Sequence, residues 1–462
     1  MHPAISREDS RSVAPVETPL PQSSGGGPLR YRLVIPVAAL LAFAAFALLW
    51  RMRWYLTFWD TLQLLSVKSW TFPFLDTHAL LAAAECQRQG INVYLENPCD
   101  YIARVHVYSP VWLSLIPSFL NAADTARVGL ALDFLFILSL TQVFRPHSWA
   151  EIAIFSLAVF SPMTLFAVER GNNDLIIFIF VVCAALVWSN SPRYRVLSYA
   201  ICLITGLLKY YPLVLLVLIA RERWQRALAL AFLAVSSILL LVFVYRGELA
   251  IALTNIPKIS YVTDGFSVRN LPYGMVAMLW GEDARSPLAP GLLVVLCAAA
   301  TARGWRMMGL ISHRDIDWNV WEMRILAIAS LLLTACFFAG QNVSYRGIFI
   351  LLALPGLVYL RRSLDGPTTR RWMTQMIVAC LLIMWGEFFR HLYDLAAGLP
   401  SPDFTNSPLA VAMWVLIWIG RELLWWWLVA GFMALAAWCI SRLPLTRDFV
   451  AQLRRWQPAP AR

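Results

Sequence analysis

Apolar positions in this chain come in long blocks broken by few polar residues, most of them of bilayer length. The first covers 33–50, close to the ~20 residues a helix needs to cross hydrocarbon at ~1.5 Å per residue. Others lie near 109–120, 127–143, 150–168, 174–189, 197–219, 227–245, 288–303, 324–340, 345–360, 373–389 and 408–440. The pattern predicts an all-α polytopic membrane helical bundle of about 11–13 transmembrane or re-entrant helices. The last block is long enough to hold an interfacial helix ahead of its span. Residues 1–29, rich in Pro, Ser and Gly without apolar periodicity, read as a disordered cytoplasmic tail. The membrane domain is expected over 30–443 with an outer-face loop at 51–108, and a second cytoplasmic tail over 444–462. No small-residue cleavage site follows the first block, so it is expected to remain as an anchor.

Arginines punctuate the blocks. Arg193 and Arg195, Arg221, Arg223 and Arg226, Arg303, Arg306 and Arg314, Arg361, Arg362, Arg370 and Arg371, and the C-terminal arginines all belong on the cytoplasmic side by the positive-inside tendency. The block at 196–220 then has basic clusters at both ends, which a single crossing forbids. Within it Pro212 removes a backbone donor and Lys209 is expensive in hydrocarbon. A broken or re-entrant pair bent at Lys209–Pro212 resolves the conflict, with the bend toward the outer face. The block at 109–120, with Pro110 and Pro117, is expected to be partial or re-entrant for the same reason.

Composition agrees with this picture. Of 462 residues 60% are hydrophobic and only 14% charged, which excludes a soluble chain. The net charge of +11 is nearly all arginine, since Lys68, Lys209 and Lys258 are the only lysines. Short basic loops beside apolar runs point to anionic lipid and not to nucleic acid. The tryptophans, Trp425, Trp426 and Trp427 among them, read as interfacial anchors.

With the basic loops on one side, the remaining polar clusters converge on the other: Asp76 and His106, the run from Glu169 to Asp174, Lys209, 264–273, 341–346 and 387–394. Asp76, in the stretch 74–112 that follows the first helix, is the leading candidate for chemistry. Six of the eight cysteines lie in apolar runs, whereas Cys86 and Cys99 share the first outer loop. In an oxidising compartment these two are expected to pair as a disulfide, and no nearby His or Cys set has the spacing of a metal site.

Asp76, the alanines 82–84, Gly90, Tyr94 and the Tyr108-Ser109-Pro110 step together resemble the first loop of glycosyltransferase family 87, polyprenol-phosphate-mannose-dependent mannosyltransferases of the GT-C type. The Arg170-Gly171-Asn172 step and the segment from Gly206 through Lys209 to Pro212 resemble later parts of that family, as, more weakly, do Tyr345-Arg346 and Pro355. The Asn172-Asn173-Asp174 run and the paired loop cysteines depart from it. The resemblance implies a GT-C-type bundle that moves a sugar, a hexose such as mannose, from a polyprenyl-phosphate donor to a glycan or glycolipid acceptor at the outer leaflet. It implies no cofactor. The setting expected is the inner membrane of a bacterium, with the site facing the periplasm or exterior.

Such chemistry needs a carboxylate as general base beside the attacking hydroxyl and fixed cations beside the departing lipid phosphate. Asp76 fits the first role, and Lys209, Arg170 and Arg346 the second. Asn172, Asn173, Asp174, His106 and Tyr108 are candidates for sugar or acceptor binding. Each has a plainer alternative. Asp76 can cap the helix beginning near Thr77; Asp174 can simply suit a helix N-terminus; Lys209 can snorkel; Arg346 can be interfacial; His106, His391 and His78 can be structural. The Asp315–Asp317 pair lacks the strand context of a metal-binding transferase motif. Two other functions stay open: a flippase or exporter of lipid-linked precursors, with Lys209 and Glu387 along its path, and a non-catalytic subunit. A transporter would more naturally show repeated halves, and none is evident.

Overall fold

A computed structural model describes residues 29–67, 72–188, 191–256, 260–261, 265–281, 286–312, 315–364, 366–396 and 408–456. The tail expected over 1–29, except Leu29, together with Lys68, Lys258, Asp264, Arg314 and the chain beyond Trp456, lies outside the described residues.

The protein is an all-α polytopic membrane protein. In chain order the helices are α1 (Leu29–Arg51), α2 (Tyr55–Leu64), α3 (Leu75–Arg88), α4 (Val111–Leu115), α5 (Thr125–Val143), α6 (Trp149–Val159), α7 (Pro162–Glu169), α8 (Asp174–Val187) and α9 (Pro192–Leu208). A 3-10 segment, Tyr211–Arg221, precedes α10 (Trp224–Val244), α11 (Arg246–Thr254), α12 (Asn270–Trp280), α13 (Leu288–Ile311) and α14 (Trp321–Ala339). A second, Ser344–Phe349, leads into α15 (Ile350–Ser363), α16 (Pro367–Met384), α17 (Gly386–Ala396), α18 (Pro408–Ser441) and α19 (Pro444–Trp456). Among the described residues seven helices are long and apolar enough to cross a membrane, or nine if the bent pairs α6–α7 and α16–α17 each count as one span. Two shorter apolar helices, α8 and the first 3-10 segment, supplement them.

The centre of the bundle is α15, buried at every position from Ile350 to Leu360 and packed between α14 and α16. A helix apolar all round has no preferred outward face, so protein encloses it. By contrast α10 buries only Ala227 and Ala234, and its remaining apolar side chains are left for lipid. The block at 408–440 holds one unbroken helix, α18, rather than an interfacial helix followed by a span. No proline follows Pro408 within it to interrupt the ladder. The block at 109–120 yields only the five residues of α4.

The block at 196–220 folds as a hairpin. Helix α9 stops at Leu208, Lys209 is extended, and the 3-10 segment returns alongside. At the open end Arg195 of α9 donates to both carboxylate oxygens of Glu222, just past the 3-10 segment, and the Tyr199 hydroxyl donates to the same carboxylate at 3.2 Å. Seventeen residues of α-helix rise about 25 Å. Eleven residues of 3-10 helix rise about 22 Å at ~2.0 Å each, so the tighter winding lets a shorter strand of chain match its partner. Both limbs fall short of the ~30 Å of hydrocarbon. The bend is therefore enclosed by protein, as non-helical backbone at membrane depth requires. Gly206 permits the close approach, because a Cβ there would stand 2.4 Å from the Leu213 side chain and 3.2 Å from its backbone nitrogen.

Hydrogen bonds sort the molecule into two ends. Ser198 near the start of α9 donates to Ala184 near the end of α8 at 2.9 Å, and Arg324 near the start of α14 donates to Ala185 at 3.2 Å. At the opposite end Lys209, past α9, and Arg346, past α14, both reach Asp174 at the start of α8. The arginine clusters around 195, 221–226 and 324 thus lie at one end, and the polar run 169–174 lies at the other.

Candidate functional site

The site forms where α3 docks on the turn between α7 and α8. Phe74 precedes α3 in a left-handed conformation, and its N–H donates to Glu169 O at 2.7 Å. The Asp76 N–H donates to Arg170 O at 2.9 Å and the Thr77 hydroxyl to Gly171 O at 2.7 Å. Gly171 has φ +53°, and a Cβ on it would stand 2.5 Å from Thr77 Oγ1, so only glycine allows this contact. The cap position belongs to Phe74, and Asp76 lies within the first turn with its side chain free for other partners.

Those partners come from two distant segments. Asp76 Oδ1 accepts from Arg170 Nη2 at 2.7 Å and from Arg104 Nη1 at 3.3 Å, while Oδ2 accepts from Asn172 Nδ2 at 2.6 Å. Asn172 Oδ1 in turn accepts from the Asp174 N–H at 2.8 Å, which ties this carboxylate to a second one. Asp174 Oδ1 accepts from Lys209 Nζ at 2.6 Å and from the Tyr211 hydroxyl at 2.5 Å. Arg346 Nε faces Asp174 Oδ2 at 3.4 Å, an attraction of opposite charges without the alignment of a hydrogen bond. Lys209 also lies 5.5 Å from the Tyr108 ring centroid, and Arg346 5.3 Å from that of Tyr211. Burial makes these pairings obligatory, since Asp76, Asn172, Asp174 and Lys209 are all enclosed.

Asp76, Arg170, Asn172, Asp174, Lys209 and Arg346 thus belong to one continuous network drawn from four separate stretches of sequence. Tyr108 borders it through its ring. Asn173 is buried and both polar atoms of its side chain lack a hydrogen-bond partner. His106 sits one layer behind, its ring edge-on to Tyr94 at 5.2 Å and to Tyr108 at 5.7 Å. Burial lowers its pKa to about 4. His78 is engaged by Thr125 at 3.0 Å and by the Tyr101 N–H at 3.3 Å, a structural arrangement. Cys86 and Cys99 form a disulfide with S–S 2.09 Å and Cα–Cα 5.8 Å, tying the end of α3 to the loop that carries Arg104.

Three members of the network are absent from the sequence-derived site: Arg104, Asp100 and Tyr211. Arg104 forks onto Asp100 at 3.0 Å through Nε and Nη2 while reaching Asp76 and the Leu75 carbonyl. Although burial opposes it, this guanidinium holds the Asp100 carboxyl below its usual range. An arginine in a loop that the charge rule places outside was the available signal. Lys209, conspicuous as a cation in an apolar run, is not alone: Asp174 is its partner. Glu387 lies apart, paired with Arg421 at 2.5 Å and Arg390 at 2.9 Å. Asp315 binds Arg442 at 3.1 Å and Arg447 at 2.5 Å. Among the described residues no group of three or more His, Cys, Asp or Glu could hold a metal ion.

Fold and site define a polytopic membrane protein with a buried polar network at one end of its bundle. Comparison with protein-family models, curated proteins and solved structures finds no match for the chain.

Proposed function

We propose that the protein is a membrane glycosyltransferase that moves a sugar, a hexose such as mannose, from a polyprenyl-phosphate donor to a hydroxyl acceptor at the outer leaflet. The observation that carries this reading is the junction of Asp76 to Arg170, Lys209 and Arg346 through Asn172 and Asp174. A base and the cations for a leaving phosphate belong to one contact network, as such a transfer requires.

A carboxylate has about four lone-pair sites. Arg170 and Arg104 take two on Oδ1 and Asn172 takes one on Oδ2, which leaves Asp76 Oδ2 one site for an acceptor hydroxyl. In the reaction that hydroxyl oxygen bonds to the anomeric carbon and its proton passes to Asp76. The bond from the anomeric carbon to the phosphate oxygen breaks, and its electron pair leaves with the lipid phosphate. Lys209 and Arg346 share one carboxylate, Asp174, so their combined charge is not cancelled and can meet the phosphate. Glu387, engaged by Arg421 and Arg390, is not left to line a transport path, which favours transfer over export.

The test is turnover in lipid nanodiscs with a polyprenyl-phosphate hexose. Asp76→Asn should abolish transfer while donor binding persists, and Lys209→Ala should weaken donor binding about tenfold or more. Full turnover by Asp76→Asn excludes this residue as base, and donor translocation without transfer by the unaltered protein replaces the enzyme reading with a flippase.

A further inference from the structure

Beside the site, among α1, α2, α5 and α7, lies a cavity of about 500 Å³ that the network does not use. Its walls are apolar, with Phe43, Phe46, Leu62, Phe136 and Leu165 among them. Two carboxylates interrupt the walls: Asp133 of α5 and Glu169, the last residue of α7. Asp133 is 1% exposed and Glu169 7%. Both oxygens of Glu169 and Oδ1 of Asp133 lack a hydrogen-bond partner. Arg170, next to Glu169 in the chain, is turned to Asp76, and Arg51 of the cavity lining is exposed.

Buried acceptors without donors forfeit their hydration, and such groups in a folded protein call for a ligand, a water or a reactive role. The space is of ligand size. Hydrocarbon walls select a hydrocarbon body, and buried carboxyl groups select a head that exchanges hydrogen bonds with them, while a phosphate or a carboxylate would have to leave water as an ion for apolar walls. The Glu169 carbonyl accepts from Phe74 N–H, one residue from Arg170, so the acidic end of the cavity adjoins the turn that holds Asp76.

We propose that this cavity binds an uncharged amphiphile, a lipid alcohol or neutral glycolipid, with its chain against α1, α2 and α5 and a hydroxyl donating to Glu169 or Asp133. Resting on the sugar-transfer reading, this assigns the acceptor: it enters from lipid beside α1, and the donor phosphate is kept to the Lys209 side.

The test measures binding without turnover, so its failure would leave the transfer reading standing. Full-length protein in phosphatidylcholine nanodiscs is labelled with hexadecanol carrying a diazirine on its chain. Labelling is expected on α1 and α5 peptides, competed by hexadecanol about tenfold better than by hexadecyl phosphate or hexadecane. Ala42→Trp, which fills the cavity, should remove the labelling, and Glu169→Leu combined with Asp133→Leu should erase the preference for the alcohol over hexadecane. Equal competition by hexadecane would mean an adventitious additive only and overturn the proposal. Preference for hexadecyl phosphate, or labelling that does not saturate, would overturn it as well.

Discussion

At the scale of single residues, the free energy of the site lies in pairs that burial makes mutually dependent. Removing one partner of a buried ion pair costs roughly 3–5 kcal/mol because the other charge stays behind, whereas replacing both with apolar residues is often neutral. Asp174→Leu, which strands both Lys209 and Arg346, should therefore destabilise the protein more than Lys209→Met, which leaves Asp174 paired with Arg346. Thermal unfolding in detergent checks the ordering, and equal losses would show that Arg346 draws no stability from Asp174. His106 offers a second test. Its folded pKa of about 4 lies below the unfolded ~6.5, so the unfolded chain binds a proton that the folded one refuses between those values. Stability from this residue is complete above the unfolded value and falls as pH drops toward 4, by on the order of 3 kcal/mol. His106→Phe, which keeps a ring between Tyr94 and Tyr108, should flatten that stretch of the unfolding profile, and an unchanged slope would exonerate His106. Asp76, Arg170, Lys209 and Arg346 are legible in the sequence because a charge next to apolar blocks is costly and needs a reason. Arg104, Asp100 and Tyr211 are not, since a loop arginine and a tyrosine in an apolar run have ordinary uses that only tertiary contacts overrule.

At the scale of elements, the hairpin of α9 and the 3-10 segment shows what charge parity can and cannot reveal. Arginines at both ends of the block, with Lys209 and Pro212 at its middle, indicate a reversal. The 3-10 winding of the return limb has no such signal, since it answers to length matching against α9. The same holds for α18, whose continuity reflects packing against α13, α14 and α16. Gly206 sets how closely the two limbs approach. Gly206→Leu would place its Cβ against Leu213 and part the limbs, an overpacking cost of about 1–3 kcal/mol. It should also weaken Lys209–Asp174, so that donor binding falls together with stability; a variant as stable and as active as the unaltered protein would show that the limbs need not touch. The Cys86–Cys99 bridge acts on the same site from the loop side. Its loss in a Cys86→Ser, Cys99→Ser double variant should cost about 3 kcal/mol by loop-closure entropy. Transfer should fall with it, through the loop that carries Arg104, and should fall equally when the unaltered protein is reduced.

At the scale of the whole molecule, the two ends of the bundle differ in charge, and the difference predicts how it sits in a membrane. One end gathers Arg195, Arg221, Arg226, Arg324 and Arg362, the last paired with Glu151 at 2.8 Å. The other gathers three aspartates, Asp76, Asp100 and Asp174, with the cations that bind them. Since Lys and Arg are retained on the cytoplasmic side, the arginine-rich end should face inward and the site outward, the side on which the proposed lipid-linked donor would be met. Single cysteines decide this. Tyr101, 63% exposed in the loop beside the site, and Tyr194, 58% exposed at the start of α9, stand at opposite ends. In intact cells a membrane-impermeant maleimide should label Tyr101→Cys at once and Tyr194→Cys only after permeabilisation. The native cysteines outside the disulfide serve as the background control, since most are buried. The reverse pattern would place the network of Asp76 and Lys209 in the cytoplasm, where a cytoplasmic donor would have to replace the outer-leaflet one and the oxidising setting invoked for Cys86 and Cys99 would be lost.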